Sequence, residues 1–480
     1  MSLLVIDVGT SGVRAAVVDG NGAVTHEHHR EVLPDSPAPG LVEFDARVLG
    51  DAALEVARRV LADAGPVRAV GIANQRASTV VWDRRSGEPV APGIGWQDLR
   101  TVGDCLVLRA EGIRLAPNLS ATKLAHLLDT HDPARERDLC FGTVDSWIVW
   151  RLTGGAAHVT DLSNAALTGL TTRDGSGWDE RILSRLRIPP GMLPRIVDST
   201  GVVAEATALD GAPPIAGIVG DQQASLVGQG CVRPGPAKIT FGTGGMLDVV
   251  VGPTRPAFDT RGPGGTFPIV AWRRAGEVVW GLEAIMLSAG SNVEWLRDDL
   301  GVIDSVAESH DVASACEHTD GVVYVPALLG LGTPHWDYGA RGTLLGVTRG
   351  TGRAQLVRAV LEGVAQRGAD LVDAAEADSG TTVETLRVDG GMSRNPTFVQ
   401  ALADATGRPV ETAPVVEATT LGAAYLAGLA VGTWSDMDDL AALWSPARRV
   451  EPGARLDRQR WAKAVERARG WHPELSGLDF

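Results

Sequence analysis

Residues 3–18 read LLVIDVGTSGVRAAVV, and the fold is decided there. Leu3–Ile6 is an apolar strand, Asp7–Gly12 a polar turn, and Val13–Val18 a second apolar strand, so the segment is a hairpin closed by glycines. Asp19–Gly22 (DGNG) then turns the chain into a third strand. Far downstream, residues 238–251 (KITFGTGGMLDVVV) repeat the shape: strand, glycine turn, strand. Two such hairpins in one chain suggest two related halves. The break at 228–236 (GQGCVRPGP) places the boundary between them, giving 1–236 and 237–480. Between these landmarks helical and strand periodicities alternate, which is the α/β pattern. Val48, Ala52, Val56 and Val60 step along one helix face until Gly65-Pro66 stops them. A long amphipathic helix is predicted over 353–378, a strand over 385–388 running into Asp389-Gly390-Gly391, and a small-residue helix over 419–429.

The 480 residues carry 59 acidic and 44 basic side chains, a formal charge of −15. An acidic chain without a basic block suits neither nucleic acid nor an anionic membrane surface. No apolar run approaches the length of a membrane-spanning helix, and Asp7 interrupts the N-terminal one, so neither a signal peptide nor a membrane partner is expected. The four cysteines (105, 140, 231 and 316) have no metal or redox spacing, which makes a cytoplasmic protein the default. Lysine stands only at 123, 238 and 463, which reads as coding bias. His26, His28 and His29 lack an acidic or thiol partner at ligand spacing and read as surface residues of the third strand.

Four stretches bear on chemistry. In the first hairpin, bare backbone at Gly9 and Gly12 admits phosphate oxygens, Thr10 and Ser11 add hydroxyl donors, and Arg14 adds a fixed cation. Asp7 can hold Mg²⁺, an ion that prefers oxygen ligands. Thr243 in the second hairpin offers the same chemistry to the far end of a polyphosphate such as ATP. In GIVGDQQASLVGQG (217–230), Asp221 stands at the carboxyl end of a strand, where open α/β sheets bind ligands. It can serve there as a general base or, equally, cap a helix. In VDGGMSRNPTFVQ (388–400), Gly390 and Gly391 let a flat base lie on backbone and Asn395 can hydrogen-bond it, though a plain strand–turn–helix has the same signature.

Taken together, VIDVGTSGVR (5–14), GIGWQDLRT (93–101), NLSATKLAHLLD (118–129), GTVDSWIVWRLTGG (142–155), the Asp221 segment, FGTGG (241–245), PALLGLGTPHWDYGARGTLLGVTRG (326–350) and the DGGMSRNPTFVQ and EATTLGAAYLAG (417–428) stretches resemble the FGGY carbohydrate kinases over nearly the whole chain, most closely glycerol kinase-like members. The resemblance implies two ribonuclease-H-like (actin/hexokinase-type) α/β domains around a central cleft. It also implies transfer of the γ-phosphoryl of MgATP to a hydroxyl of a small polyol or sugar, and a homodimer. By resemblance Asp7 organises Mg²⁺; Thr10, Ser11, Gly12 and Arg14 form the first phosphate loop; Thr243, Gly290, Gly391 and Asn395 complete the nucleotide site. Asp221 is the catalytic base, and Gln222, Arg76 and Trp96 contact the acceptor. Trp336 is placed near the cleft.

The chain departs from the glycerol kinase pattern at Ala77, where Glu follows the substrate Arg, at Asn118, where Tyr is usual, and at Met246, where Phe is usual. Loss of a charge-assisted hydrogen bond to one hydroxyl weakens binding by about 1.5–3 kcal/mol. An amide at Asn118 can meet further hydroxyls. The expectation is therefore a polyol at or beyond glycerol size, with a ketose kinase such as a xylulokinase, and a non-catalytic sugar or ATP sensor on the same fold, as the alternatives. A dinucleotide dehydrogenase is disfavoured because no G-x-G-x-x-G follows the first strand.

Overall fold

A computed structural model describes residues 2–414 and 418–478; Glu417, which opens the EATTLGAAYLAG stretch, lies outside them. The principal sheet has thirteen strands. In chain order they are β1 (Leu3–Val8), β2 (Gly12–Val18), β3 (Val24–Glu31), β4 (Val70–Asn74), β5 (Thr200–Glu205), β6 (Pro214–Gly220), β7 (Pro236–Phe241), β8 (Gly245–Gly252), β9 (Phe267–Arg274), β10 (Glu277–Met286), β11 (Thr385–Asp389), β12 (Val410–Thr412) and β13 (Arg448–Val450). Across the sheet the order is β13-β12-β11-β7-β8-β10-β9-β5-β6-β4-β1-β2-β3.

Two copies of one topology are embedded in that order. In β3-β2-β1-β4-β6 the first three strands are antiparallel neighbours and the last three parallel. The set β10-β8-β7-β11-β12 has the same sequence of directions. The two hairpins read from the glycine turns are β1–β2 and β7–β8, the first two strands of each copy. The copies share an edge through β5 and β9, in register at the single pair Thr200–Arg274.

The helices follow the same duplication. The principal ones are α1 (Ala46–Ala64), α2 (Asp221–Gly228), α3 (Arg353–Ser379), α4 (Pro396–Thr406) and α5 (Ala418–Ala430). α1 starts where the Asp45 carboxylate accepts the Arg47 backbone N–H at 2.8 Å, and it ends at Gly65, whose φ of 79° suits glycine. α3 occupies the equivalent place in the second copy and stops at left-handed Gly380. α2 and α5, which follow the last parallel strand of each copy, cross one another. A Cβ added to Gly228 would stand 1.9 Å from the Ala418 carbonyl oxygen, and one on Gly422 1.8 Å from that of Ala224. Only glycine allows the two backbones so close. α5 also lies on the first copy's strands, since a Cβ on Gly71 of β4 would meet the Ala423 carbonyl at 2.4 Å. The core beneath it, including Leu3, Val5, Val219, Leu226, Ala424 and Leu426, thus draws on both halves of the chain.

One asymmetry matters. The connection from the fourth to the fifth strand of the first copy spans residues 75–213, and its counterpart spans 390–409. The longer one has its own apolar clusters, built in part from Leu124, Leu128, Phe141 and Leu170. It also buries Asp145, which accepts hydrogen bonds from Thr143 and, at 2.7 Å, from the Thr160 hydroxyl. Burial, reinforced by nearby Asp161, pushes the Asp145 carboxyl up to about 7. The folded state then holds this proton more tightly than the unfolded chain does. Its contribution is complete below the ordinary carboxylate range and is lost as pH rises through about 7. Asp145→Asn is expected to flatten the decline in melting temperature between pH 5.5 and 8.5, removing a component on the order of a few kcal/mol. An unchanged decline would assign it to other groups.

Candidate active site

The sheet brings the predicted residues to one edge. Asp7 on β1 is paired in register with Ala73 on β4, whose neighbour Asn74 is paired with Gly220 on β6, immediately before Asp221. Three parallel strands therefore end together, and Asp7, Arg76 and Asp221 leave from their carboxyl ends. Behind this edge lies a buried polar network. The Gly220 N–H donates to the Ser163 hydroxyl at 2.9 Å, and that hydroxyl donates to Asp161 at 2.9 Å. Asn164 exchanges amide hydrogen bonds with Asn74 at 2.9 and 3.1 Å. The backbone carrying both Arg76 and Asp221 is thereby fixed.

Asp221 is the first residue of α2, not its cap; its Oδ1 accepts the Gln222 N–H at 2.7 Å. Its side chain is 30% exposed, and Oδ1 lies 3.3 Å from Nε of Arg76. Burial raises its carboxyl above the ordinary aspartate value, while Arg76 and the Gln222 N–H pull it down. Arg76 is held from the other side by Glu283 of β10, 2.7 Å from Nη1, and its Nη2 approaches the Met246 sulfur at 4.0 Å. These carboxylates keep the guanidinium protonated. Arg76 thus ties Asp221 of the first copy to the hairpin of the second.

The other predicted acceptor residues divide. The Trp96 indole donates to the Thr10 hydroxyl at 3.2 Å, so the expected pocket wall touches the turn of the first hairpin. Asn118 is exposed; its backbone carbonyl accepts from Lys123 at 3.1 Å, and among the described residues no side-chain hydrogen bond draws its amide toward Arg76. Ala77 is buried at φ 61°, and its carbonyl accepts the Ser120 hydroxyl at 2.9 Å. The Trp336 indole donates to the Gly265 carbonyl at 2.7 Å, Arg261 covers its ring at 4.1 Å, and the ring packs 5.0 Å from that of Phe267, the residue in register with Glu283.

Of the residues expected at the nucleotide, Ser11 and Thr243 sit at exposed hairpin tips, with Thr10 half-buried. Arg14 lies opposite Asp7 in the β1–β2 register and 3.6 Å from Glu27. A Cβ on Gly9 would be in ordinary contact with the Gly12 carbonyl at 3.5 Å, but the reason assigned to Gly12 needs correction. An added Cβ there would strike the His29 ring at 2.6 Å and the Arg30 carbonyl at 2.8 Å, so its bare Cα serves the packing of β3. Gly290 packs against the second turn, its N–H donating to Gly242 at 2.9 Å. Gly391 faces open space, with nothing within 4 Å of an added Cβ, whereas Gly390 (φ 81°) packs on Phe241. Asn395 caps α4: its Oδ1 accepts the Phe398 N–H at 3.1 Å, and its Nδ2 donates to Ser309 at 2.9 Å. Both ends of its amide are therefore already engaged. His28 pairs with Asp63 at 2.6 Å on exposed β3, as expected of a surface residue.

Sequence reasoning missed Glu283, Asp248 and two lysines. Lys123 and Lys238 are fully buried. Lys123 donates to the carbonyls of Gly95, Trp96 and Asn118 at 2.8, 3.2 and 3.1 Å, and burial lowers it to about 7. Lys238 lies 2.7 Å from Asp248 and donates to Gln222 at 2.6 Å. Two of the chain's three lysines thus sit where a compact ammonium is buried, whereas Lys463 is exposed.

Comparison with known proteins agrees with this geometry. Residues 2–228 match the N-terminal domain, and residues 237–431 the C-terminal domain, of the FGGY family of carbohydrate kinases. Among curated relatives, the glycerol kinase of Aromatoleum aromaticum is 45% identical over 98% of this chain and 99% of its own length. Glycerol kinase 2 of Thermotoga maritima is 42% identical, with coverage of 98% and 99%. Among solved structures, Plasmodium falciparum glycerol kinase with ADP superposes with a TM-score of 0.90 at 29% identity, covering 97% of this chain and 98% of the other. Two copies of one topology, an acidic residue at the shared strand edge and these full-length similarities lead to one assignment: the chain belongs to the FGGY family of carbohydrate kinases and is an ATP-dependent phosphotransferase whose acceptor is an alcohol group.

Proposed function

We propose that this kinase transfers the γ-phosphoryl group of MgATP to a hydroxyl of a small polyol of glycerol size or longer. The observation that carries the reading is the position of Arg76, 3.3 Å from Asp221 and in contact with Met246 of the second hairpin. An acceptor held by this guanidinium has a base beside it and the phosphate-loop strand facing it.

Phosphoryl transfer needs chiefly positioning and neutralisation of charge. Arg76, Gln222, Trp96 and the Asn118 region orient the acceptor, and Asp221 takes the proton of the attacking hydroxyl. Thr10, Ser11, Gly12 and Arg14 from one side, and Thr243, Gly290, Gly391 and Asn395 from the other, hold the nucleotide. The open space at Gly391 fits a ligand lying on backbone. Asp7 at the same strand edge suits a magnesium ion that keeps most of its ligands as water and phosphate oxygen. When bound, that ion supplies charge neutralisation at the phosphates. Small, buried Ala77 and flexible Met246 leave the acceptor side open to more than a triol. We take the chain to divide functionally at residue 236 and to act as a cytoplasmic homodimer; light scattering tests the dimer. Among the described residues no helix is long and apolar enough to cross a membrane.

A coupled ADP-release screen across C3–C6 polyols and ketoses, with both enantiomers of each, tests the activity. Acceptor-dependent release with a polyol is expected. Release with ketoses alone would move the assignment to a ketose kinase, and none with any acceptor would favour a sensor.

A further inference from the structure

Three charged side chains stand in a row beneath the acceptor residues. Lys238 on β7 is paired in register with Asp248 on β8, and Asp248 with Glu283 on β10. Their relative exposures are 0%, 0% and 4%. Neighbours in register share one face of a sheet, so the three side chains lie side by side. Glu283 grips Arg76. Lys238 Nζ donates to Gln222 Oε1 at 2.6 Å and to the Thr240 hydroxyl at 3.0 Å. Asp248 lies 2.7 Å from Nζ, at salt-bridge distance. The three ammonium protons thus suffice for Gln222, Thr240 and Asp248, and Asp248 also supplies the counter-charge. Asp248 interrupts an otherwise apolar strand (Leu247, Val249, Val250), and a carboxylate there has no packing purpose.

An ammonium can only donate. It therefore fixes the orientation of the Gln222 amide, with Oε1 inward and Nε2 outward. Gln222 is half-buried, and among the described residues its Nε2 has no hydrogen-bond partner. We propose that Lys238 and Asp248 are positioning residues for the acceptor: the buried pair locks Gln222 so that its Nε2 is presented as a donor to an acceptor oxygen next to the one facing Asp221. This rests on the acceptor-site reading above. It implies an acceptor with an oxygen beside the reacting hydroxyl, and it makes the second copy of the fold shape the acceptor site of the first.

A mutant cycle tests it. Lys238→Met alone would strand a buried carboxylate, so the pair is removed together as Lys238→Met/Asp248→Leu, a replacement that buried ion pairs often tolerate. The acceptor is whichever polyol the unmodified enzyme turns over best, so that enzyme's own turnover judges the activity reading separately. The pair variant is expected to raise the acceptor KM about tenfold, the effect of one lost hydrogen bond, with the ATP KM unmoved. Gln222→Ala is expected to raise it at least as much, and all three changes together no more than Gln222→Ala alone. Effects that multiply, or an acceptor KM within twofold of the unmodified enzyme in the pair variant, would overturn the proposal. Gln222→Glu is the second probe. It gains an ion pair with Lys238 and should melt no lower, yet lose acceptor affinity about tenfold because the outward atom no longer donates; unchanged affinity would refute the assignment. In ligand-free protein, the Gln222 side-chain amide resonance, identified by its absence from Gln222→Ala, should shift in the pair variant whatever the acceptor proves to be.

Discussion

Asp221→Asn is expected to lower kcat at least a hundredfold, roughly the lower bound of what a positioned general base contributes, with the ATP KM unchanged. Asparagine keeps the shape but cannot take the hydroxyl proton. The change should not scatter the site, because Glu283 still holds Arg76 at 2.7 Å once the Asp221 charge is gone. The residues proposed for the nucleotide lie in the two hairpins, at Gly290 and between Gly391 and Asn395, and none of them is held by this carboxylate. In the unmodified enzyme Asp221 must be ionised to act. Because burial raises its pKa, kcat/KM should fall on the acid side with a midpoint above that of ordinary aspartate. Arg76 opposes that rise, so Arg76→Gln should move the midpoint to still higher pH as well as weaken acceptor binding. Near-normal turnover by Asp221→Asn would remove the residue from this role.

Gly422→Val is expected to destabilise the fold severely. The added Cβ would stand 1.8 Å from the Ala224 carbonyl oxygen, a backbone atom in the middle of α2 that no rotamer change can move aside. Overpacking a core typically costs about 1–3 kcal/mol, and a rigid backbone clash at a helix crossing belongs at the upper end or beyond. Gly103→Ala is the control. It is also a glycine within a helix, but nothing lies within 4 Å of its added Cβ. It should be neutral or stabilising by up to about 1 kcal/mol, because alanine is the better helix former. Chemical denaturation of the two variants separates a packing requirement from a general intolerance of side chains. Equal midpoints would refute the close crossing of α2 and α5.

The contrast between legible and illegible features follows the range of the interactions. Both hairpins could be read because glycine turns and flanking apolar runs are local, and the Gly65-Pro66 stop ended α1 for the same reason. Asp221 could be read because a polar run directly after an apolar strand marks the carboxyl edge of a sheet. The Lys238–Asp248–Glu283 row could not, since register between β7, β8 and β10 makes neighbours of residues far apart in sequence. Gly12 stands out in the sequence, but for a different contact from the phosphate expected there: its missing Cβ accommodates His29 and Arg30 of β3, a partner known only once the strands are paired. The placement of α5 on the first half's strands was hidden likewise, because its composition shows that it is buried but not against what.

The unequal connections between the fourth and fifth strands have an evolutionary consequence. Arg76, Ala77, Trp96, Asn118 and Lys123 all lie within residues 75–213, an excursion with its own apolar clusters that leaves from β4 and returns to the adjacent β6. On the proposed assignment, selection can remodel this module to suit a new sugar alcohol while the symmetric scaffold is inherited intact. A graft of the excursion from a cousin of different taste should carry that taste with it, provided the floor of lysine and carboxylates supplied by the opposite repeat travels too.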